Sequence, residues 1–209
     1  MSILKKKHLA KILSGLDGYR NPKPELEQYE TPGDTAAEMI WMADLRGKLK
    51  EKVVADLGCG TGILAVGSAL LGARKVYALD IDKEAVEVAR ANATKLNVLD
   101  KIEFLVMDVR EFDRKVDTVI MNPPFGCQTR NADRPFLEKA FEVSGDVFSL
   151  HLAKEDVERF LKRFSAEHGF EMMIIGKSRF DIPAKFFFHK SRLVKIDIHI
   201  IHFKRRGNV

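Results

Sequence analysis

Apolar residues in this chain follow two periods. Between Lys52 and Met121, short unbroken apolar runs alternate with stretches of helical spacing. Val53-Val54-Ala55-Asp56-Leu57 reads as a buried strand, and Lys75–Asp80, Ile102–Met107 and Val116–Met121 follow in kind. Strands covered on both faces show continuous rather than alternating apolar positions. Ile63 to Leu71 is apolar nearly all round, so a buried helix is predicted there, with Gly72 at its C′ position. Asp82 is placed to cap a helix carrying Ala85, Val88, Ala89, Ala93 and Leu96 on one face. Asp146–Leu150 predicts a fifth strand, about Lys154 to His168 a helix stopped by Gly169, and Phe170–Ile175 and Leu193–Phe203 the last two strands. Upstream, residues 3–16 have helical spacing, Asp17 to Gly33 is irregular with three prolines, and a second helix starts near Asp34. Strands alternating with helices predict an α/β fold around a mostly parallel sheet. No helical pattern separates the last two strands, so they pair antiparallel at one edge.

A length of 209 residues suffices for one large core, and 45% apolar with 31% charged residues is an ordinary globular balance. A net charge of +5 permits a polyanionic partner. Two cysteines, Cys59 and Cys127, exclude a disulfide scaffold and fit a reducing, cytoplasmic compartment. No apolar run approaches the roughly 20 residues of a membrane span, and Lys5-Lys6-Lys7 has no long apolar segment behind it.

Two loops carry candidate chemistry. Gly58-Cys59-Gly60-Thr61-Gly62 follows a strand and opens a helix, where open α/β sheets hold a nucleotide. Its G-x-G-x-G spacing differs from the pyrophosphate fingerprint and suits S-adenosylmethionine, which has no phosphate. Asp80 ends the second strand and would accept both ribose hydroxyls; Asp108 either reads the adenine amine or is a turn residue. Asp56 either orients the loop from below or meets the cofactor's amino group. The second loop is Asn122-Pro123-Pro124-Phe125. Conjugation makes an aromatic exocyclic amine a poor nucleophile. Acceptors on its hydrogens, the Asn122 side-chain oxygen and the Pro123 carbonyl, would turn its lone pair outward. Pro123 and Pro124 fix φ and remove competing donors, and Phe125 offers a face for stacking. These four form the candidate catalytic set. No nucleophile–base pair or metal cluster is expected, and His199 and His202 are expected on one strand face.

Loop, acid and tetrad, in that order, resemble a class I S-adenosylmethionine-dependent methyltransferase of the amino-methylating NPPF type. Leu16-Asp17-Gly18-Tyr19, Leu26-Glu27-Gln28-Tyr29-Glu30-Thr31, Phe148-Ser149-Leu150-His151, Ile182-Pro183 and Phe188-His189-Lys190 are similar to the methyltransferase-like protein 5 family. That family methylates adenosine N6 in small-subunit ribosomal RNA. The resemblance implies a seven-stranded Rossmann-like sheet in the order 3-2-1-4-5-7-6, strand 7 antiparallel, with helices on both faces. It implies that residues 1–50, the N-terminal helices and a cofactor-covering segment, belong to one domain with a core at 51–209. It also implies that Gln28 and Thr31 close over a cofactor held by Gly58, Gly60, Thr61, Ile63, Asp80, Asp108 and Val109. Eukaryotic members are held by a small zinc-binding activator subunit, which would add to the strand edge at residues 102–107.

Structured RNA is the expected partner. From Lys177 to Val209, nine Lys/Arg stand against two Asp, a net +7 exceeding that of the whole chain. Lys185, Lys190, Arg192, Lys204, Arg205 and Arg206 are the candidate RNA contacts, with Phe186-Phe187-Phe188 among them. Competing acceptors for the same tetrad are a release-factor glutamine amide, guanine N2 and DNA adenine; a cofactor-binding ribosome assembly factor would need no turnover.

Overall fold

The apolar runs pair into a seven-stranded sheet in the order β3-β2-β1-β4-β5-β7-β6. The computed structural model describes residues 4–126, 132–183 and 193–207. The strands are β1 (Val53–Leu57), β2 (Lys75–Asp80), β3 (Ile102–Val106), β4 (Thr118–Met121), β5 (Asp146–Leu152), β6 (Phe170–Pro183) and β7 (Leu193–Arg205). The first five are parallel; β7 runs antiparallel to both β5 and β6. This is the class predicted from the apolar pattern and the order implied by the resemblance.

Two apolar layers cover the sheet. On one face lie α1 (Lys6–Leu13), α2 (Gly33–Leu45), α3 (Ile63–Leu70) and α4 (Lys83–Lys95), joining Leu9, Leu13, Met39, Ile40 and Val66 to Val54, Phe148 and Ile198. The first two helices thus pack into the core: a Cβ on Gly67 of α3 would stand 2.5 Å from Ile40 Cδ1 of α2, so a side chain there would have to displace the end of Ile40. On the other face, α5 (Arg134–Val143) and α6 (Glu155–Glu167) bury Leu137, Phe141 and Phe164 against Leu57, Met121 and Phe203. Phe141 stacks on Phe170 at 4.2 Å, an arrangement contributing about 0.5–1.5 kcal/mol beyond its buried area. Among the described residues, no helix is long and apolar enough to cross a membrane.

Several elements differ from expectation. The first helix spans only Lys6–Leu13, and β6 runs on past Ile175 to Pro183. The helix α5 has no counterpart in the apolar pattern; its start is set by Pro135 in the first turn, where the missing N–H costs nothing. His199 and His202 stand three apart on β7 and therefore on opposite faces. His202 stacks on Phe148 at 4.2 Å and contacts Asp146 at 2.9 Å, whereas His199 pairs in register with His151.

Candidate active site

The loop after β1 turns by glycine geometry. Gly58, Gly60 and Gly62 have φ of 72°, 51° and 86°, in the left-handed region that disfavours side chains. The amides of Gly58 and Cys59 donate to the Leu79 carbonyl at 2.9 and 2.8 Å, pinning the loop to the end of β2. At Gly60 a Cβ would meet the Tyr19 hydroxyl at 2.1 Å. Beneath the loop, Asp56 Oδ2 accepts from Ala65 N at 2.9 Å, so it orients the start of α3. Its Oδ1 is buried without a partner, and burial pushes the carboxyl up to about 8.

Asp80 closes β2. Its Oδ2 accepts from Gly60 N at 2.8 Å and its Oδ1 from Asp82 N at 2.9 Å. Burial holds this carboxyl above the usual carboxylate value. Each oxygen keeps acceptor capacity for a ligand hydroxyl. Asp82 caps α4 through Glu84 N, as its position predicted. Asp108 is a turn residue as well as part of the cavity wall. It accepts from Arg110 N and is gripped by the Arg110 guanidinium at 2.9 and 2.6 Å, which lowers its carboxyl to about 2.

A strap from Lys23 to Thr31 crosses above both loops. Gln28 Nε2 and Lys23 Nζ each donate to an Asp82 oxygen at 2.7 Å. Burial would raise the Asp82 carboxyl, but these bonds outweigh it and hold it below its ordinary value. Three residues after Gln28, Thr31 Oγ1 accepts from Asn122 Nδ2 at 2.8 Å. That bond fixes the amide and leaves Asn122 Oδ1 buried with no partner. Tyr29 donates weakly to the Pro123 carbonyl at 3.4 Å, and its ring stands 5.0 Å from that of Phe125.

One cavity of about 380 Å³ connects these groups. Its wall contains Gln28, Thr31, Gly58, Thr61, Ile63, Asp80, Asp108 and Val109, together with Asn122 and Pro124. Asp56 and Gly60 act from behind that wall. Pro123 and Phe125 are not part of that wall, whose aromatic groups are Tyr19, Tyr29 and Phe136 of α5. Tyr19, Glu27, Ile81 and Phe136 are also in the lining, and motif spacing did not single them out. Ile81 had a signal, being the residue after the strand-end acid; Phe136 had none, since it comes from the unanticipated helix.

The candidate RNA contacts divide. Lys185, Lys190 and Arg192 lie outside the described residues. Lys204 pairs with Asp146, the first residue of β5, so Lys204–Arg206 stand at the sheet end opposite the cavity. Arg205 donates to the carbonyls of Phe141 and Ser144 and covers the Phe170 ring at 4.6 Å, so its guanidinium is engaged within the fold. At the cavity end, Arg179 and Lys195 are exposed. They border an open groove of about 700 Å³ that reaches Thr31 and Thr61 and also contains Asp17 and Glu30.

The site fits S-adenosylmethionine on three counts: a loop whose glycines let a ligand come close, a strand-end carboxylate with spare acceptors, and a buried acid behind the wall with an unfilled oxygen. Residues 34–123 match the family of ribosomal protein L11 methyltransferases (PrmA). Across 98% of its length the chain is 38% identical to an uncharacterised protein of Methanocaldococcus jannaschii, covering 96% of it. It is 35% identical to the rRNA N(6)-adenosine-methyltransferase METTL5 of Danio rerio, over 96% of this chain and 99% of that one. A solved structure from Pyrococcus horikoshii, described as a proposed RNA methyltransferase, has a TM-score of 0.92 and 48% identity over 99% of this chain and 100% of its own. The likeness to METTL5 spans nearly the whole of both chains, and the chain belongs to the METTL5 family of S-adenosylmethionine-dependent methyltransferases.

Proposed function

We propose that this enzyme methylates the N6 amine of an adenosine in structured RNA, and that the RNA is small-subunit ribosomal RNA. The observation that carries the reading is Asn122 Oδ1, a buried acceptor with no donor at the wall of the cofactor cavity. A buried unpaired acceptor costs about 1–3 kcal/mol, and an exocyclic amine supplies the missing hydrogen. The METTL5 relatives from Danio rerio and Drosophila melanogaster carry the name rRNA N(6)-adenosine-methyltransferase, in support.

S-adenosylmethionine supplies an electrophilic methyl group on a sulfonium. The chain's own residues position the acceptor. Asn122 Oδ1 takes one amine hydrogen, and the Pro123 carbonyl, which has a second lone pair beside the Tyr29 bond, takes the other. Drawing on both hydrogens localises the nitrogen lone pair and aims it at the cofactor. The amine loses its proton after it becomes cationic, so no strong base is needed. Catalysis is positioning and preorganised dipoles. A paired target base has to leave its stack to reach this site. Arg179 and Lys195 at the groove are suited to the flanking phosphates.

The L11 methyltransferase match stops at Pro123 and covers the cofactor half, so it supports the donor and says little of the acceptor. Labelled cofactor is therefore offered to a structured small-subunit RNA, duplex DNA, a release factor and ribosomal protein L11. Label recovered as N6-methyladenosine in the RNA is the expected result. Label in a protein, in DNA or in guanine overturns it, and cofactor binding without transfer to any of them points to an assembly factor. Cofactor and base functions are separable by mutation. Asp80→Ala weakens cofactor binding by about 1.5–3 kcal/mol, the contribution of a hydrogen bond to a charged group. Asn122→Ala leaves that affinity near normal and abolishes transfer; calorimetry beside the rate assay reads both.

The β3 edge is proposed to receive the small zinc-binding subunit. Val106 at its end is 52% exposed, and Ile81 of the neighbouring strand end is 57% exposed.

A further inference from the structure

Glu27 is a carboxylate buried to 5% exposure in a backbone conformation that non-glycine residues avoid, with φ 51° and ψ 40°. Left-handed backbone at such a residue persists only where the surroundings impose it, and it gathers at functional sites. Burying a charge adds a further cost unless a strong donor meets it. Phe125 N is such a donor, at 2.7 Å from Glu27 Oε2.

The turn at Glu27 sends consecutive side chains to opposite strand ends. Glu27 reaches the tetrad after β4, while Gln28 reaches Asp82 after β2 at 2.7 Å. In the sheet these two strands flank β1, whose end is the glycine loop. Residues 27 and 28 therefore bridge the cofactor loop from the donor side to the acceptor side. The amide that Glu27 holds belongs to Phe125, three residues after Asn122, with two prolines between them. Because Pro123 and Pro124 have no N–H and fixed φ, the Phe125 amide is the first donor after Asn122 by which the protein can anchor the loop. Tyr29 against Phe125 and Thr31 against Asn122 seat the same loop from the same strap.

We propose that Glu27 is a positioning residue for the acceptor base: through the Phe125 amide it sets the pose of Asn122 and Pro123, without touching the reacting atoms. The proposal rests on the reading of the tetrad as the acceptor site. A carboxylate is suited to the task because charge-assisted bonds are short and roughly twice as strong as neutral ones.

The test compares Glu27→Ala with Glu27→Gln in the full chain, using a structured small-subunit RNA and labelled cofactor. Glu27→Ala is expected to lower kcat by about ten-fold, equivalent to about 1.4 kcal/mol of barrier, while cofactor affinity stays within about three-fold. Glu27→Gln keeps an acceptor at the same reach and is expected to recover most of the rate. Rate and cofactor affinity falling together in both variants indicates a merely structural role and overturns the proposal, as does a wild-type rate in Glu27→Ala. A second readout needs no RNA. Labelling proline carbonyl carbon and phenylalanine nitrogen selects only Phe125 and Phe136, the two phenylalanines that follow proline. The Phe125 amide proton is expected to move upfield in Glu27→Gln while that of Phe136 stays in place. An unmoved Phe125 signal sinks the proposal even in a variant that methylates. Wild-type protein that leaves the RNA unlabelled refutes the acceptor instead, and the amide signal still decides the role of Glu27.

Discussion

Asp56 joins stability to pH in a direction opposite to most carboxylates. Its unfolded form titrates near the ordinary value of about 3.9, and its folded form at about 8 because burial disfavours the charge. Between those two values the folded chain holds a proton that the unfolded chain has released. Stability from this group is therefore full below about pH 4, falls as pH rises by up to about 1.4 kcal/mol per unit, and is exhausted above about pH 8. Asp56→Asn keeps an acceptor for Ala65 N and removes the titration. Melting temperatures at about pH 5.5 and 8.5 should accordingly differ less in the variant than in the wild type. An equal fall in both proteins would assign the alkaline loss to another group. Asp108 lies at the other extreme, held at about 2 by Arg110 and charged throughout the working range. The site thus carries two acids of opposite habit, Asp108 in the cavity wall and the protonated Asp56 behind it, beneath the glycine loop.

Among the elements, those whose residues are dictated by local pattern were legible in the chain. The strands β1 to β5 are short, mostly apolar runs, and Gly58, Gly60 and Gly62 need a conformation that other residues resist. Asp80 could be placed because a strand end is a fixed point. What escaped was set by contacts distant in sequence. Glu27 reads as one polar residue in a proline-bounded loop, and its partner Phe125 lies 98 positions away. The helix α5 has few apolar residues, only Leu137, Ala140, Phe141 and Val143 being buried, so its pattern was weak and Phe136 stayed hidden with it. Charge counting found the basic tail, but only register shows that Lys204 lies at the far end of β5. Register is also why Arg179 and Lys195, at the cavity end of β6 and β7, are the proposed RNA contacts. Each phosphate contact adds about 0.7–0.9 to the slope of log affinity against log salt. Replacing both Arg179 and Lys195 by alanine should flatten that slope by about 1.5 and leave cofactor affinity unchanged. Replacing Lys204 and Arg206 should flatten it less; the reverse order would move the RNA path to the far end of the sheet.

For the whole molecule, the unequal finish of its two sheet edges is decisive. At one edge, β6 is a long strand whose partner β7 continues the sheet over thirteen paired positions. At the other, β3 has five residues and pairs only with β2, so its outer N–H and C=O groups meet no strand of this chain among the described residues. Short edge strands normally resist pairing through charges or proline, yet Ile102-Glu103-Phe104-Leu105-Val106 has a single charge and no proline. That charge is held by Lys75 at 3.1 Å and Arg114 at 2.7 Å, both from this chain, which lowers its power to repel an incoming strand. Val106 and Ile81 supply exposed apolar surface where such a strand would end. Val106→Arg should therefore abolish association with the proposed zinc-binding subunit while leaving cofactor affinity intact, since Val106 is not in the cavity wall. Size-exclusion chromatography of the chain with and without that subunit reads the association directly. A wild-type chain that elutes monodisperse and methylates fully by itself would make the subunit dispensable, and an unaltered complex with Val106→Arg would move the interface away from β3.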